Sequence, residues 1–227
     1  MRVGPTAEET EEMVPTHDNN LIYLVHCWKQ YKADKTAAAS SNAGGDTTVI
    51  VMDFSQNLTV PSVSSTPSQW YFCSLINVSV FGIYYENDGM QTNYIYDETV
   101  SGKGTDQINS MLQHFIRTTI LPSGKKKLVV YADNCSDQNK KHLVIKFQLA
   151  QVQMGLFENV DYKFFVKGHT KNSCDRGFGH IRKHAGRQDP WTMDQVVAAG
   201  TAYAVSNATV HISRGDDFFM HYKPLVT

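Results

Sequence analysis

Long apolar runs are missing from this chain of 227 residues. No stretch approaches the roughly 20 residues that a membrane-spanning helix needs, so no membrane partner is expected. The first residues, MRVGPTAEETEEMVP, are polar and acidic and lack the apolar core of a secretory signal. Cysteine is scarce: Cys27, Cys73, Cys135 and Cys174 lie far apart and form no CxxC pair, which excludes a disulfide framework. Cys135, Cys174 and His169 have no fourth ligand at a recognisable spacing, which argues against zinc. These absences point to a nuclear or cytoplasmic protein, not a secreted one. The N-x-[ST] sequences at Asn57, Asn77 and Asn207 are then chance matches.

What remains is enough for one core, with 41% hydrophobic and 19% charged residues, as in soluble globular domains. The net charge of −1 hides an asymmetry. From Leu121 to Arg187 there are thirteen Lys and Arg against five Asp and Glu, while the first sixty residues are acidic on balance. A basic half fits a polyanion-binding face, and it equally fits a solvated Lys-rich surface.

The chain divides at about residues 46 and 187. Residues 1–46 are expected to be disordered or partly helical, with a short helix over 20–33 and a loop over DKTAAASSNAGGD. A core follows over 47–187. TTVIVMDF is a near-continuous β-branched and apolar run, as in a strand buried on both faces. WYFCSLINVSVFGIYYE reads as one long strand or two joined by a bend, and NYIYDET as another, with Asn87-Asp88-Gly89 as the hairpin signal between them. The period then changes: Ile108, Met111, Leu112, Phe115 and Ile116 share one helix face. KKLVVYAD is a second buried strand. NKKHLVIKFQLAQVQMG is a helix, with Leu143, Phe147, Ala150 and Met154 on one face and Gly155 as its stop. VDYKFFVKG is a third strand, and SCDRGFGHIRKH opens another helix. Residues 188–227 supply a C-terminal helix and a short strand or loop containing FFMHYK, packed on the core. This order predicts an α/β protein with a ribonuclease-H-like mixed sheet, an antiparallel meander followed by parallel β-α units, with helices on both faces. In such a sheet the fourth strand lies parallel to the first and beside it.

Two apolar strands end in an acid, Asp53 and Asp133. A carboxylate there is costly unless it has a partner, and two adjacent carboxylates repel each other. Divalent cations relieve that repulsion, and Mg²⁺ (or Mn²⁺) favours one or two carboxylates plus phosphate oxygens. Two such ions, shared through Asp53 and completed by Asp133 and a third acid, would serve phosphodiester displacement. The opposing reading is that both aspartates cap turns. The third acid is Asp175, in the first turn of a helix. Asn172-x-x-Asp175 also resembles a capping box, in which the acid serves only the helix. Asp97, Glu98 and Asp137 are the reserves. His169, at a strand end, could contact the scissile phosphate or orient a water, or be structural. Gln138, Asn139, Lys140, Lys167, Lys171 and Arg176 are candidates for holding a nucleic-acid backbone, with Lys141, Arg182 and Lys183 nearby. Gln138 and Asn139 could equally begin a helix capped by Asp137. Gly102-Lys103-Gly104 is too short to be a nucleotide-binding P-loop.

MDFSQNLTVP, YIYDETVSGKGTDQINSMLQHFI, YADNCSDQNKKH and FFVKGHTKNSCDRGFGHIRK, in this order, resemble a eukaryotic mobile-element-related domain family of unknown function. That family is similar to the ribonuclease-H-like catalytic cores of DDE/DDD transposases and retroviral integrases. The resemblance covers about residues 47–187 and implies a triad of Asp53, Asp133 and Asp175. It implies divalent-metal-dependent cleavage or strand transfer on a nucleic acid, with DNA expected first and a homo-oligomer left open. Two alternatives stand beside it: a domesticated, catalytically inactive domain that binds nucleic acid or protein, and a ribonuclease or exonuclease on the same fold. Nothing before residue 47 looks like the separate DNA-binding module that transposases usually carry.

Overall fold

The computed structural model describes residues 17–40, 45–62, 68, 75–134, 139–166, 172–201 and 206–222, with side chains of the first helix from Val25 onward. Among the described residues there are five α-helices and one mixed sheet of seven strands. The strands are β1 (Thr47–Phe54), β2 (Leu58–Val60), β3 (Ile76–Tyr85), β4 (Met90–Asp97), β5 (Lys127–Ala132), β6 (Asn159–Phe164) and β7 (Asn207–His211). The helices are α1 (His17–Ser40), α2 (Thr105–Phe115), α3 (His142–Gln153), α4 (Cys174–Gln188) and α5 (Met193–Thr201). None of the described helices is long and apolar enough to cross a membrane.

The sheet runs β6-β5-β1-β3-β4-β7, with β2 also pairing with β3. β1, β3 and β4 are antiparallel neighbours, whereas β5 and β6 run parallel to β1. β1 is therefore central and buried on both faces, which is why its apolar run shows no alternation. Its side chains still alternate in direction: Ile50 and Met52 enter the core beneath α2 and α3, and Val49 and Val51 enter the one beneath α1, α4 and α5. The β3–β4 hairpin turns over residues 86–89, where Gly89 takes φ +75°, a conformation that glycine adopts without strain. α2 buries Ile108, Met111, Leu112 and Phe115, and its apolar stripe continues through one π turn, Ile116–Ile120, to Gly124.

Several expectations are corrected. α1 reaches Ser40, so the alanine-rich DKTAAAS is helical and not a loop. Trp28, Tyr31, Lys35 and Ala38 recur at helical spacing along the contact with the sheet. Lys35 lies 2.9 Å from the buried Glu86, which also accepts a hydrogen bond from the Tyr31 hydroxyl. Lys163 and the Tyr131 hydroxyl meet Asp34 at 2.6 and 2.5 Å. In α3 the buried residues are Val144, Phe147, Gln148 and Gln151, so of the expected stripe only Phe147 is buried and Met154 is exposed. Apolar residues lie all around this helix, and periodicity could not choose its inner face. The last strand is β7, which pairs with β4 in parallel. Of FFMHYK, the described residues 218–222 have no regular structure, but Phe218 and Phe219 stack on Tyr94 and Tyr96.

α4 lies close to the sheet because two glycines permit it. A Cβ at Gly82 would come within 2.7 Å of the Phe178 ring, and one at Gly177 would overlap the Gln91 carboxamide. Gln91 is 1% exposed and donates to Asn93 at 2.8 Å, so it cannot swing away. Gly177→Ala should therefore destabilise the protein by about 1–3 kcal/mol in urea unfolding. Gly179→Ala and Gly186→Ala have open space and should instead stabilise by up to about 1 kcal/mol through helix propensity. Equal effects at all three positions would contradict the close approach.

Candidate acidic site

Register and side-chain parity bring Asp53 and Asp133 together. Met52 pairs with Ala132 across the parallel β1–β5 ladder, so the residues that follow lie side by side. Asp53 has the parity of Val49 and Val51, and Asp133 that of Val129 and Tyr131, all of which enter the core beneath α1, α4 and α5. The two carboxylates thus emerge on one face, at the ends of two parallel strands. Each also has a local partner. The Asn172 Nδ2 donates to Asp53 Oδ2 at 2.9 Å, and the Asn134 backbone N–H donates to Asp133 Oδ1 at 2.7 Å.

Asp175 sits one turn away, at the start of α4. Its Oδ2 accepts the Asn172 backbone N–H at 2.9 Å, while Asn172 Oδ1 accepts the Cys174 N–H at 2.8 Å. This reciprocal pair resembles the capping box read from Asn172-x-x-Asp175, shifted by one residue, since Ser173 is the N-cap of α4 and Asn172 accepts the Cys174 N–H. Asn172 therefore touches the acids on both sides, one through its side chain and the other through its backbone. Sequence reasoning treated it only as a cap, because its contact with Asp53 depends on where α4 docks. Ser173 extends the connection by donating to Glu86 at 2.5 Å, which ties the start of α4 to α1.

The electrostatics follow. The Asp53 carboxyl is pushed up to about 6, first by burial, then by the negative charges of Asp133 and Asp175; the Asn172 amide and the Phe54 backbone N–H pull it down. Asp53 thus senses both other acids. A divalent cation would remove the repulsion, and carboxylate oxygens are suitable ligands for Mg²⁺ or Mn²⁺. The strand-end pair fits such an ion. Asp175 accepts the Asn172 N–H with Oδ2 and keeps Oδ1 for a ligand, and among the described residues no three His, Cys, Asp or Glu form a ready-made metal group.

The other candidates are placed differently. His169, Gln138, Lys167 and Lys171 lie outside the described residues, as do Cys135 and the reserve acid Asp137. Lys140 and Arg176 are exposed, with Lys140 over the Phe164 ring at 5.3 Å. Asn139 departs from the expected backbone contact. It is 4% exposed, and its Nδ2 donates to the Asp133 carbonyl at 3.0 Å, closing the loop after β5. The reserves Asp97 and Glu98 serve the turn after β4: Asp97 accepts from Thr99 and Glu98 from Asn77. Cys174 is a buried thiol, held protonated by burial and by nearby Asp53, and its Sγ donates to the Val51 carbonyl at 3.3 Å.

Not predicted as site residues were Ser55 and its partner Lys103, which was weighed only as part of a P-loop. Lys103 Nζ donates to the Ser55 carbonyl at 3.0 Å. Burial lowers the pKa of this ammonium, while the charge of Asp53 opposes the shift. Its flanking glycines were the one available signal.

Because folding raises the Asp53 pKa from 3.8 to about 6, the folded state favours the neutral acid. The associated stability is complete below the lower value and is lost as pH rises through the upper one. Asp53→Asn should therefore raise stability by about 1–3 kcal/mol at pH 8, with little difference at pH 3.5. Thermal melting in metal-free buffer at both pH values measures this, and a variant less stable at pH 8 would contradict it.

No curated protein and no solved structure matches this chain. The sequence model of one family, described as a domain of unknown function (DUF7869), matches residues 73–219. That description names no activity and no link to mobile elements or transposases. The match spans β3 to β7, with Asp133 and Asp175, and begins after β1 and Asp53. It covers more than half of the sequence, and the protein belongs to the DUF7869 family.

Proposed function

We propose that this chain is a ribonuclease-H-like core of the transposase and integrase type, which cleaves or transfers phosphodiester strands of DNA with a divalent metal ion. The observation that carries the reading is the Asp53–Asp133 pair on one face of two parallel strands, with Asp175 close enough to act on Asp53. Strand order supports it: β4-β3-β1-β5-β6 is an antiparallel meander followed by two parallel strands, the order of a ribonuclease-H-like sheet. The basic balance of residues 121–187, thirteen cations against five acids, suits a polyanion.

Asp53 and Asp133 would hold the ion, and Asp175 would join them through Oδ1, the oxygen that the Asn172 N–H does not engage. Bound there, Mg²⁺ or Mn²⁺ would polarise a phosphoryl oxygen and lower the pKa of an attacking water. Asn172 keeps Asp53 and Asp175 attached to the start of α4, so the acids stay oriented without a ligand. One observation favours a second reading, a non-catalytic nucleic-acid-binding descendant: Asn172 already engages both acids, which leaves a structure satisfied without metal.

Asp53→Asn and Asp133→Asn should each abolish Mg²⁺- or Mn²⁺-dependent DNA cleavage while the fold survives by circular dichroism. Calorimetry should show Mn²⁺ binding to the parent and its loss in Asp133→Asn. Variants that cut as well as the parent would refute the assignment. A parent that neither cuts nor binds Mn²⁺ would leave the second reading.

A further inference from the structure

Two cations converge on Ser55, the residue that leaves β1 just beyond Asp53. Lys103 approaches from the loop before α2: its Nζ donates to the Ser55 carbonyl at 3.0 Å and lies 4.9 Å from the centre of the Phe54 ring. Arg182 approaches from α4, and its Nη2 donates to Ser55 Oγ at 2.7 Å. Ser55 itself is 5% exposed and is fixed to β3 by its N–H, which donates to the Val80 carbonyl at 2.9 Å.

The Lys103 loop is held on both sides. The Tyr96 hydroxyl donates to the Gly102 carbonyl at 2.9 Å, the Gly104 N–H donates to Gln107 Oε1 at 3.0 Å, and Gln107 Nε2 donates to Ser101 at 2.7 Å. A lysine on so constrained a loop loses less freedom when it takes up a ligand. Among the described residues, neither Lys103 nor Arg182 makes an ion pair; the salt bridges there involve Lys35, Lys163 and His221. Each contacts a neutral oxygen instead. An ammonium has three donors and a guanidinium five, so most remain for an anion. A phosphate approaching Asp53, Asp133 and Asp175 would be repelled without cations beside it.

We infer that Lys103 and Arg182, gathered on Ser55, form a two-point grip for the phosphodiester backbone of a nucleic acid beside the Asp53–Asp133 pair. The inference rests on the nuclease reading for the nature of the ligand. Arg supplies a planar fork suited to phosphate oxygens and Lys a point charge, so the two hold the backbone without reading its bases.

The test is fluorescence anisotropy with labelled single-stranded DNA, duplex DNA and RNA of one sequence. The parent is compared with Lys103→Gln/Arg182→Gln over about 50–200 mM salt. The double variant should bind about tenfold more weakly near 0.1 M salt, and the slope of log K against log salt should shrink by about 1–2 units. Whichever oligonucleotide shows the largest loss identifies the backbone that is held. Lys29→Gln, an exposed change on α1, should leave both quantities at parent values. If the double variant fails to fold, Arg182→Gln alone, at an exposed position, should give about half the loss in slope. Parent-like affinity and slope in the folded variant, or no binding of any oligonucleotide by the parent, overturns the grip. Mn²⁺ calorimetry on the same samples separates the two ideas. Unchanged metal binding with lost DNA binding supports both. A parent that takes up no metal but loses DNA binding with the variant retains the grip and loses the nuclease.

Discussion

The parallel pairing of β1 with β5 is the constraint on which the rest depends. It is in register at Met52 and Ala132, and it leaves Asp53 and Asp133 side by side with the same facing. No other pair of strands could do this with these residues, because a shift of one position would turn either acid into the opposite core. Both strands are buried on both faces, so the register is specified twice. An unfavourable pair of charges is thus held by a large apolar contact that has no other arrangement of comparable quality.

The helices respond to that pair. α4 starts where its capping asparagine can also serve Asp53, and it can lie there because Gly82 and Gly177 let helix and sheet approach. Ser173, Tyr31 and Lys35 meet at Glu86, so α1 braces the same point from outside. A buried carboxylate with three donors is well satisfied, and removing one donor would leave it short. Lys103, from the loop before α2, and Arg182, on α4 itself, draw positive charge towards the acids without neutralising them.

Much of this was legible in the sequence, and the limits have physical causes. The strands ending in Asp53 and Asp133 stood out because β-branched runs that finish in an acid are unusual. The hairpin at Asn87-Asp88-Gly89 and the α2 stripe carried local signals strong enough to stand alone. Other features needed tertiary information. NATVH is a short, half-buried segment that becomes a strand only because β4 offers an edge. Asn139 looked like a ligand-facing polar residue, yet the loop after β5 uses it internally. The alanines of α1 satisfy a loop or a helix, and the sheet decides between them. Lys103 and Asn172 could not be assigned, because their partners are 48 and 119 residues distant in sequence.

The β1–β5 ladder also dictates an order of events during folding. Thr47 pairs with Lys127, 80 residues later, whereas the β3–β4 hairpin closes over a few residues. Closing so long a segment is entropically costly until hairpin and α2 have formed a surface to receive it. During synthesis β1 can pair with β3 first, and its other edge stays open until β5 has been made. The two aspartates meet only at that late step, so the local repulsion between them does not burden the earlier ones.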